Sequence, residues 1–284
     1  MPTTANKSNN PDAERWGNYR LRGWKKIWMS FCHAIPAYAP LQRIALWLRK
    51  PIKMALHDRV DATVWGASLR LFPLGNLSEQ RLLYLPQFFD RDERETLAEE
   101  LRNGGVFFDI GANIGSYSLW VALTCKNTRI EAFEPDPDLC SRLRFNVATN
   151  RLEDILGINN VALGQTRGAS YLKRDNLNRG QNKLVPSAMS DALKVQVDTL
   201  PDFLREHDIS GINALKIDVE GLEFAVLQPL FDQVPRSSWP SVIVCEISKN
   251  VSGASDLKVW QLLSEQGYVL EKRTRLNGIF RLSG

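Results

Sequence analysis

The chain has 284 residues, 44% of them hydrophobic and 24% charged, the balance of a soluble globular protein long enough to bury a core without disulfides or metals. Its formal net charge of +4 conceals an asymmetry, because residues 1–60 hold 11 Lys/Arg against 3 Asp/Glu while the remainder holds 25 against 29. A general nucleic-acid-binding face is therefore excluded from everything after the N-terminal arm, and DNA with it.

The chain divides by composition into a basic, aromatic-rich arm over 1–60, a lead-in strand and helix over 61–104, and an α/β domain over 105–284. Met1 to about Pro11 is polar and expected to be disordered, and lacks the apolar run and cleavage site of a signal peptide. Leu21, Trp24, Trp28, Phe31 and Ile35 recur at helical spacing, and Leu41 to Leu48 forms a second short helical stretch. Neither is long enough to span a bilayer. Five of the eight tryptophans precede residue 70. Basic residues beside aromatics suggest peripheral contact with the inner membrane face, but the favoured reading is an arm packed as a cap on the domain that follows, with a surface for a protein partner as a third. The four cysteines (Cys32, Cys125, Cys140, Cys245) show neither a C-x-x-C pair nor a zinc spacing, which favours a cytoplasmic protein.

Next, Thr63 to Phe72 is expected to be a strand and Leu74–Asn76 a turn. Asp90 opens a helix as a capping box with Glu93, and that helix runs to about Arg102 before Gly104 and Gly105. From Val106 strands and helices alternate. Strands are expected near Val106–Asp109, Arg129–Glu134, Asp154–Asn159, Ala214–Asp218 and Val242–Ile247. Helices are expected near Ile114–Thr124, Pro137–Thr149, Leu222–Phe231 and Asp256–Gln266. Ala169–Leu172 and Leu193–Val197 are extra strands flanking a polar loop, Arg174 to Ser190, and the chain ends in a hairpin over Gly267–Arg273 and Gly278–Leu282.

Two motifs carry the chemistry. Val106 to Ser118 is an apolar strand running into the turn Asp109-Ile110-Gly111-Ala112-Asn113-Ile114-Gly115 and then a helix. Arg129 to Glu134 is a second strand ending in an acid. The pair makes the nucleotide-binding half of a doubly wound sheet, with Glu134 where a carboxylate can accept both hydroxyls of a ribose. The turn lacks the G-x-G-x-x-G of a pyrophosphate binder, and an acid beside it repels phosphate but receives an ammonium. S-adenosylmethionine has an ammonium, a ribose diol and no phosphate. On this reading Asp109, Gly111, Asn113, Gly115 and Glu134 bind the cofactor, Asp109 towards the ammonium, and Ala162 lines the adenine slot. An NAD-linked oxidoreductase on a similar sheet fits the turn poorly.

With Leu215 to Leu227, a buried strand turning at Gly221 into a helix, these segments closely resemble the FkbM family of S-adenosylmethionine-dependent methyltransferases. The resemblance runs from about Val64 to Val244. It takes in Tyr84 to Asp90, Asn160 to Gly164, and Val197 to Leu200, though Pro201 and then Asp202 stand where members usually carry Asp at once. It implies a Rossmann-like, seven-stranded class I methyltransferase sheet with its last strand antiparallel and helices on both faces, while the helical extension before it, read from spacing, lies outside the resemblance. It also implies O-methylation of a glycan, glycolipid precursor or secondary metabolite, so that the partner is a small-molecule or saccharide acceptor. An RNA methyltransferase using the basic arm, or a cofactor-binding protein without catalysis, remains open.

Removing a proton from an alcohol needs a base or a metal. His33, His57 and His207 are poorly placed for it. Lys216, Asp218 and Glu220 alternate along one strand and so share a side, and Glu246 ends the next strand. These four are the catalytic candidates. Asp218 and Glu246 could share a proton or hold Mg²⁺ through oxygen ligands.

Overall fold

The computed structural model describes residues 14–38, 41, 47–48, 51, 58–74, 76–175, 182–185, 192–247 and 254–283. The expectations for Met1 to Pro11 and for most of Leu41 to Leu48 fall outside these residues, as does His57. Helix α1 (Gly23–Ala34) comes first, on the spacing expected. The single strand expected over Thr63–Phe72 is instead a hairpin, β1 (Val60–Val64) and β2 (Ala67–Leu71), closed by Trp65 at φ 52° and Gly66 at φ 89°. Two consecutive left-handed residues match the twist of a two-residue hairpin turn. Helix α2 (Leu77–Tyr84) then starts under an Asn76 cap, whose side chain accepts from the Ser78 and Glu79 amides.

Helix α3 (Arg91–Glu100) begins where a capping box was expected, but the box does not form. Asp90 sits in the left-handed region at φ 40° with no cap bond. Its carboxylate instead receives Arg81 at 2.7 Å and the Tyr117 hydroxyl at 3.2 Å. Glu93 turns the other way, accepting from the side chains of Thr274 and Asn277.

The alternating region then follows the expected order. It runs β3 (Gly105–Ile110), α4 (Ser116–Thr124), β4 (Thr128–Phe133), α5 (Pro137–Asn150) and β5 (Leu156–Asn159). Strands β6 (Ala162–Leu163), β7 (Gly168–Lys173), β8 (Lys183–Val185) and β9 (Ala192–Asp198) come next, then α6 (Leu200–Glu206). The chain closes with β10 (Ala214–Ile217), α7 (Glu223–Gln233), β11 (Val242–Glu246), α8 (Ala254–Glu265), β12 (Tyr268–Arg273) and β13 (Asn277–Leu282). The main sheet has seven strands in the order β12-β13-β11-β10-β3-β4-β5. Strands β11, β10, β3, β4 and β5 are parallel, and β13 runs antiparallel to β11. The order reverses between β3 and β10, which makes the carboxyl ends of those two strands the crevice of the sheet.

A second sheet, β6-β9-β7-β8, is made by the chain that follows β5. Strand β8 lies inside the segment expected to be a polar loop, of which 176–181 and 186–190 are outside the described residues. Helix α6 is capped by Thr199, whose hydroxyl accepts from the Asp202 amide, so Pro201 takes an early position where no N–H is missed.

Contacts also tie the start of the described chain to the lead-in. Arg70 is buried beneath it, donating to Asp61 at 2.8 Å and to the carbonyls of Glu14 and Arg15. The Asp61 carboxylate accepts from the amides of Gly17 and Tyr19. The hairpin in turn rests on α5 through Asn146 and Asn150, which accept from the amides of Arg70 and Ser68.

Candidate active site

The strand ends β3, β4, β10 and β11 open into one cleft. Glu134, just past β4, lines it while almost wholly buried. Its two oxygens accept the Asn113 amide at 2.8 Å and the Asp136 amide at 2.9 Å, which aims the carboxylate. Burial pushes its pKa up to about 7 against the pull of those amides. Asn113 holds the turn at φ 55°, a backbone that Asn tolerates, and its side-chain oxygen receives Asn76 from the start of α2. Ala162 lines the same cleft beside Leu163, Leu172 and Leu184. An apolar slot next to an oriented buried carboxylate fits an adenosine.

Asp109 is placed differently from the expectation. It does not line the cleft. It is buried, and one of its oxygens accepts both the amide of Ser118 at 3.1 Å and its hydroxyl at 2.5 Å, tying the first turn of α4 to β3. Its other oxygen lies 3.5 Å from the Lys216 ammonium. Strand ends put an acid within reach of the next helix as easily as of a ligand, and the serine nine residues on takes this one. Gly115 also stands behind the wall, at φ 85°, where a Cβ would come within 2.3 Å of Leu143. Gly111 lines the cleft, and its missing side chain has a packing reason as well: a Cβ there would meet the Asp218 carbonyl oxygen at 2.0 Å.

Lys216, Asp218, Glu220 and Glu246 all line the cleft. Strand β10 stops at Ile217, one residue short of the expectation, so Asp218 stands on the turn itself. Lys216 donates to the Gly111 carbonyl at 2.8 Å and lies 3.9 Å from Asp218. Burial lowers its pKa, but Asp109 and Asp218 outweigh burial and leave it raised, so Lys216 stays cationic. Asp218, Glu220 and Glu246 each present an oxygen within 4.8 Å of the others. Burial, followed by the charge of Asp218 and a hydrogen bond with it, pushes Glu246 up to about 9. Burial and the same charge push Glu220 up to about 7. Glu220 and Glu223 part company here: Glu223 is buried and accepts the amides of Val219 and Gly221, shaping the turn into α7, while Glu220, at φ 56°, faces the cleft.

The methyltransferase FkbM domain family matches residues 109–270. The chain belongs to the FkbM methyltransferase family. It is thereby an S-adenosylmethionine-dependent methyltransferase. It is 30% identical over 226 residues to the 31-O-demethyl-FK506 methyltransferase FkbM of Streptomyces tacrolimicus, covering 69% of this chain and 84% of that one. It is 24% identical over 177 residues to the hexuronic acid methyltransferase AglP of Haloferax volcanii, covering 62% and 68%. Among solved structures it is similar to the O-methyltransferase from Bacillus cereus in complex with SAH, at 10% identity and a TM-score of 0.43, covering 69% and 80%.

Several lining residues of this FkbM-family protein carry no motif signal. Glu79 and Arg81 come from α2, Asn182 from just before β8, and Leu276 and Asn277 from the terminal hairpin. They lie outside the strand–turn–helix units that sequence spacing can read. The histidines serve elsewhere: His33 bonds the Leu83 carbonyl at 2.7 Å, and His207 stacks on Phe203 at 3.9 Å.

Proposed function

We propose that this methyltransferase is O-directed and that Asp218 removes the proton of an acceptor hydroxyl, with a saccharide or other polyol as acceptor. The observation that carries the reading is the Asp218–Glu246 pair, whose carboxylate oxygens lie within 4.8 Å of each other in the cleft. Burial and the charge of Asp218 push Glu246 up to about 9, so at neutral pH it holds a proton beside Asp218. Asp218 is then left with acceptor capacity on a side chain 43% exposed to the cleft, and Lys216 supports its charge from 3.9 Å. S-adenosylmethionine, when bound, supplies a methyl group on a sulfonium, so that a C–O bond forms as the C–S bond breaks. Glu134 holds the ribose diol, and the leucines around Ala162 pack the adenine. The hydroxyl proton passes to Asp218 as the new bond forms, and Glu246 keeps the pair from carrying two negative charges.

The polyol preference rests on the polar side chains that line the same cleft as the Asp218 pair, Arg81, Asp90 and Asn277 among them, which suit several hydroxyls at once. That the relative AglP is named a hexuronic acid methyltransferase supports it. The test is Asp218→Asn assayed with a panel of saccharide acceptors. Turnover should fall by roughly 10²–10⁴, the range for a positioned acid–base group, with S-adenosylhomocysteine affinity kept within a few-fold. If turnover survives and only acceptor affinity falls, Asp218 is an acceptor clamp. An unchanged rate in EDTA separates a bare base from a metal ligand.

A further inference from the structure

Helix α1 has two apolar faces, and among the described residues only one is packed. Met29 and Cys32 are buried, Trp28 donates to the Leu48 carbonyl at 2.6 Å, and Gln87 donates to the carbonyls of Cys32 and Ile35. With His33 bonded to the Leu83 carbonyl, this face fastens the helix onto α2. At about 100° per residue, Trp24, Ile27 and Phe31 fall in one narrow sector on the other side. They are 54%, 59% and 64% exposed. Tyr38, 63% exposed, follows just beyond the helix. Isolated exposed hydrophobes need no explanation, but a row of them on one helix does.

The surrounding charge says what covers them. Residues 14–38 carry five Lys/Arg and one acid, and Arg15, Arg20, Arg22 and Lys26 are all exposed. A two-fold contact with a second copy through this face would bring two net basic segments together, an arrangement like charges oppose. An anionic lipid surface attracts the same cations, takes aromatic side chains at headgroup depth, and is repelled by the net acidic remainder of the chain.

We propose that the outer face of α1 docks the protein on an anionic phospholipid membrane, with Trp24, Ile27 and Phe31 entering the interface and the net basic charge of residues 14–38 drawing the segment to the anionic headgroups. Helix α1 packs on α2, and α2 supplies Ser78, Glu79, Arg81 and Leu82 to the cleft wall. One helix thus separates the docked surface from the active site, so docking orients the cleft relative to the membrane.

Flotation of the full-length protein tests this with phosphatidylcholine vesicles made with and without phosphatidylglycerol. The expected result is association at least about tenfold stronger with phosphatidylglycerol and weakened by added salt. The combined variant Trp24→Ser, Ile27→Ser and Phe31→Ser should lose about tenfold or more of that association. Its unchanged S-adenosylhomocysteine affinity would show that the fold is intact. The proposal is overturned if the parent stays unbound with phosphatidylglycerol present, or if the variant floats as well as the parent. It is overturned equally if the parent is a dimer that the variant turns into a monomer, since a second copy then covers the face.

Discussion

Glu134 meets two opposed demands, and the conflict is measurable. The carboxylate must be ionised to accept a diol through charge-assisted bonds, yet burial holds its pKa near 7. A ligand that prefers the ionised form binds less tightly once the free protein becomes protonated. S-adenosylhomocysteine affinity should therefore be flat above about pH 7 and fall up to about tenfold for each pH unit below it. Glu134→Gln should bind at least about tenfold more weakly, since each charge-assisted bond contributes roughly 1.5–3 kcal/mol, and it should lose this pH dependence. Calorimetric titration of both proteins across the range decides it: a parent curve without the break would mean that Glu134 does not hold the ribose. Sequence spacing could place this residue because a strand end fixes where a side chain emerges. The same rule misplaced Asp109, because a strand end does not say whether the acid faces forward to a ligand or sideways to Ser118. Hydrogen bonding within the turn settles that, and no period in the sequence encodes it.

Among the elements, those legible in advance are the ones whose burial is simple. Strands β3, β4, β10 and β11 are buried runs, and the helices between them begin near recognisable turns. Helix α2 was missed because polar residues sit on its buried side: Glu79 is fully buried, held by the Phe72 amide and Arg142, and Gln80 bonds the Pro73 carbonyl. Polar residues at core positions break the hydrophobic period that announces a helix. The β1–β2 hairpin was missed for a different reason, since Trp65-Gly66 is not among the usual two-residue turn pairs. Strand β8 is three residues with one exposed lysine, too short to alternate. The Arg70–Asp61 pair shows what such hidden polar order does for stability. Arg70 is fully enclosed, with its guanidinium 4.2 Å from the centre of the Phe145 ring. Arg70→Met strands the Asp61 charge and should cost about 3–5 kcal/mol. Adding Asp61→Leu should recover much of that loss, because both charges are then gone. Denaturant midpoints for the single and double variants check this. A single variant within about 1 kcal/mol of the parent would mean that the pair carries no such strain.

At the scale of the whole molecule the cleft is an electrostatic liability. Glu134 and Glu220 are held near 7 and Glu246 near 9, each with burial as the leading cause. Glu79, which also lines the cleft, is pushed by burial to about 7 as well. An acid whose pKa is raised on folding binds more protons in the folded chain than in the unfolded one. Its contribution is fully present below the unfolded value near 4.5 and is lost as pH rises through the folded one. These four groups therefore make the ligand-free protein less stable as pH rises from about 5 to 9, opposite to the trend that surface-paired carboxylates give. Glu246→Gln separates this effect from general alkaline loss, because glutamine keeps the shape and a donor towards Asp218 but cannot ionise. Its melting temperature should match the parent's near pH 5, where Glu246 is already neutral, and exceed it by about 2–4 °C or more near pH 9. Turnover should fall at the same time, since the proton shared with Asp218 can no longer move. Scanning calorimetry of the two proteins at both pH values is the measurement. Equal melting temperatures near pH 9 would show that the cleft does not hold this carboxyl in its neutral form. A stability gained together with a rate lost would mark the crowded carboxylates as a cost that folding bears for catalysis.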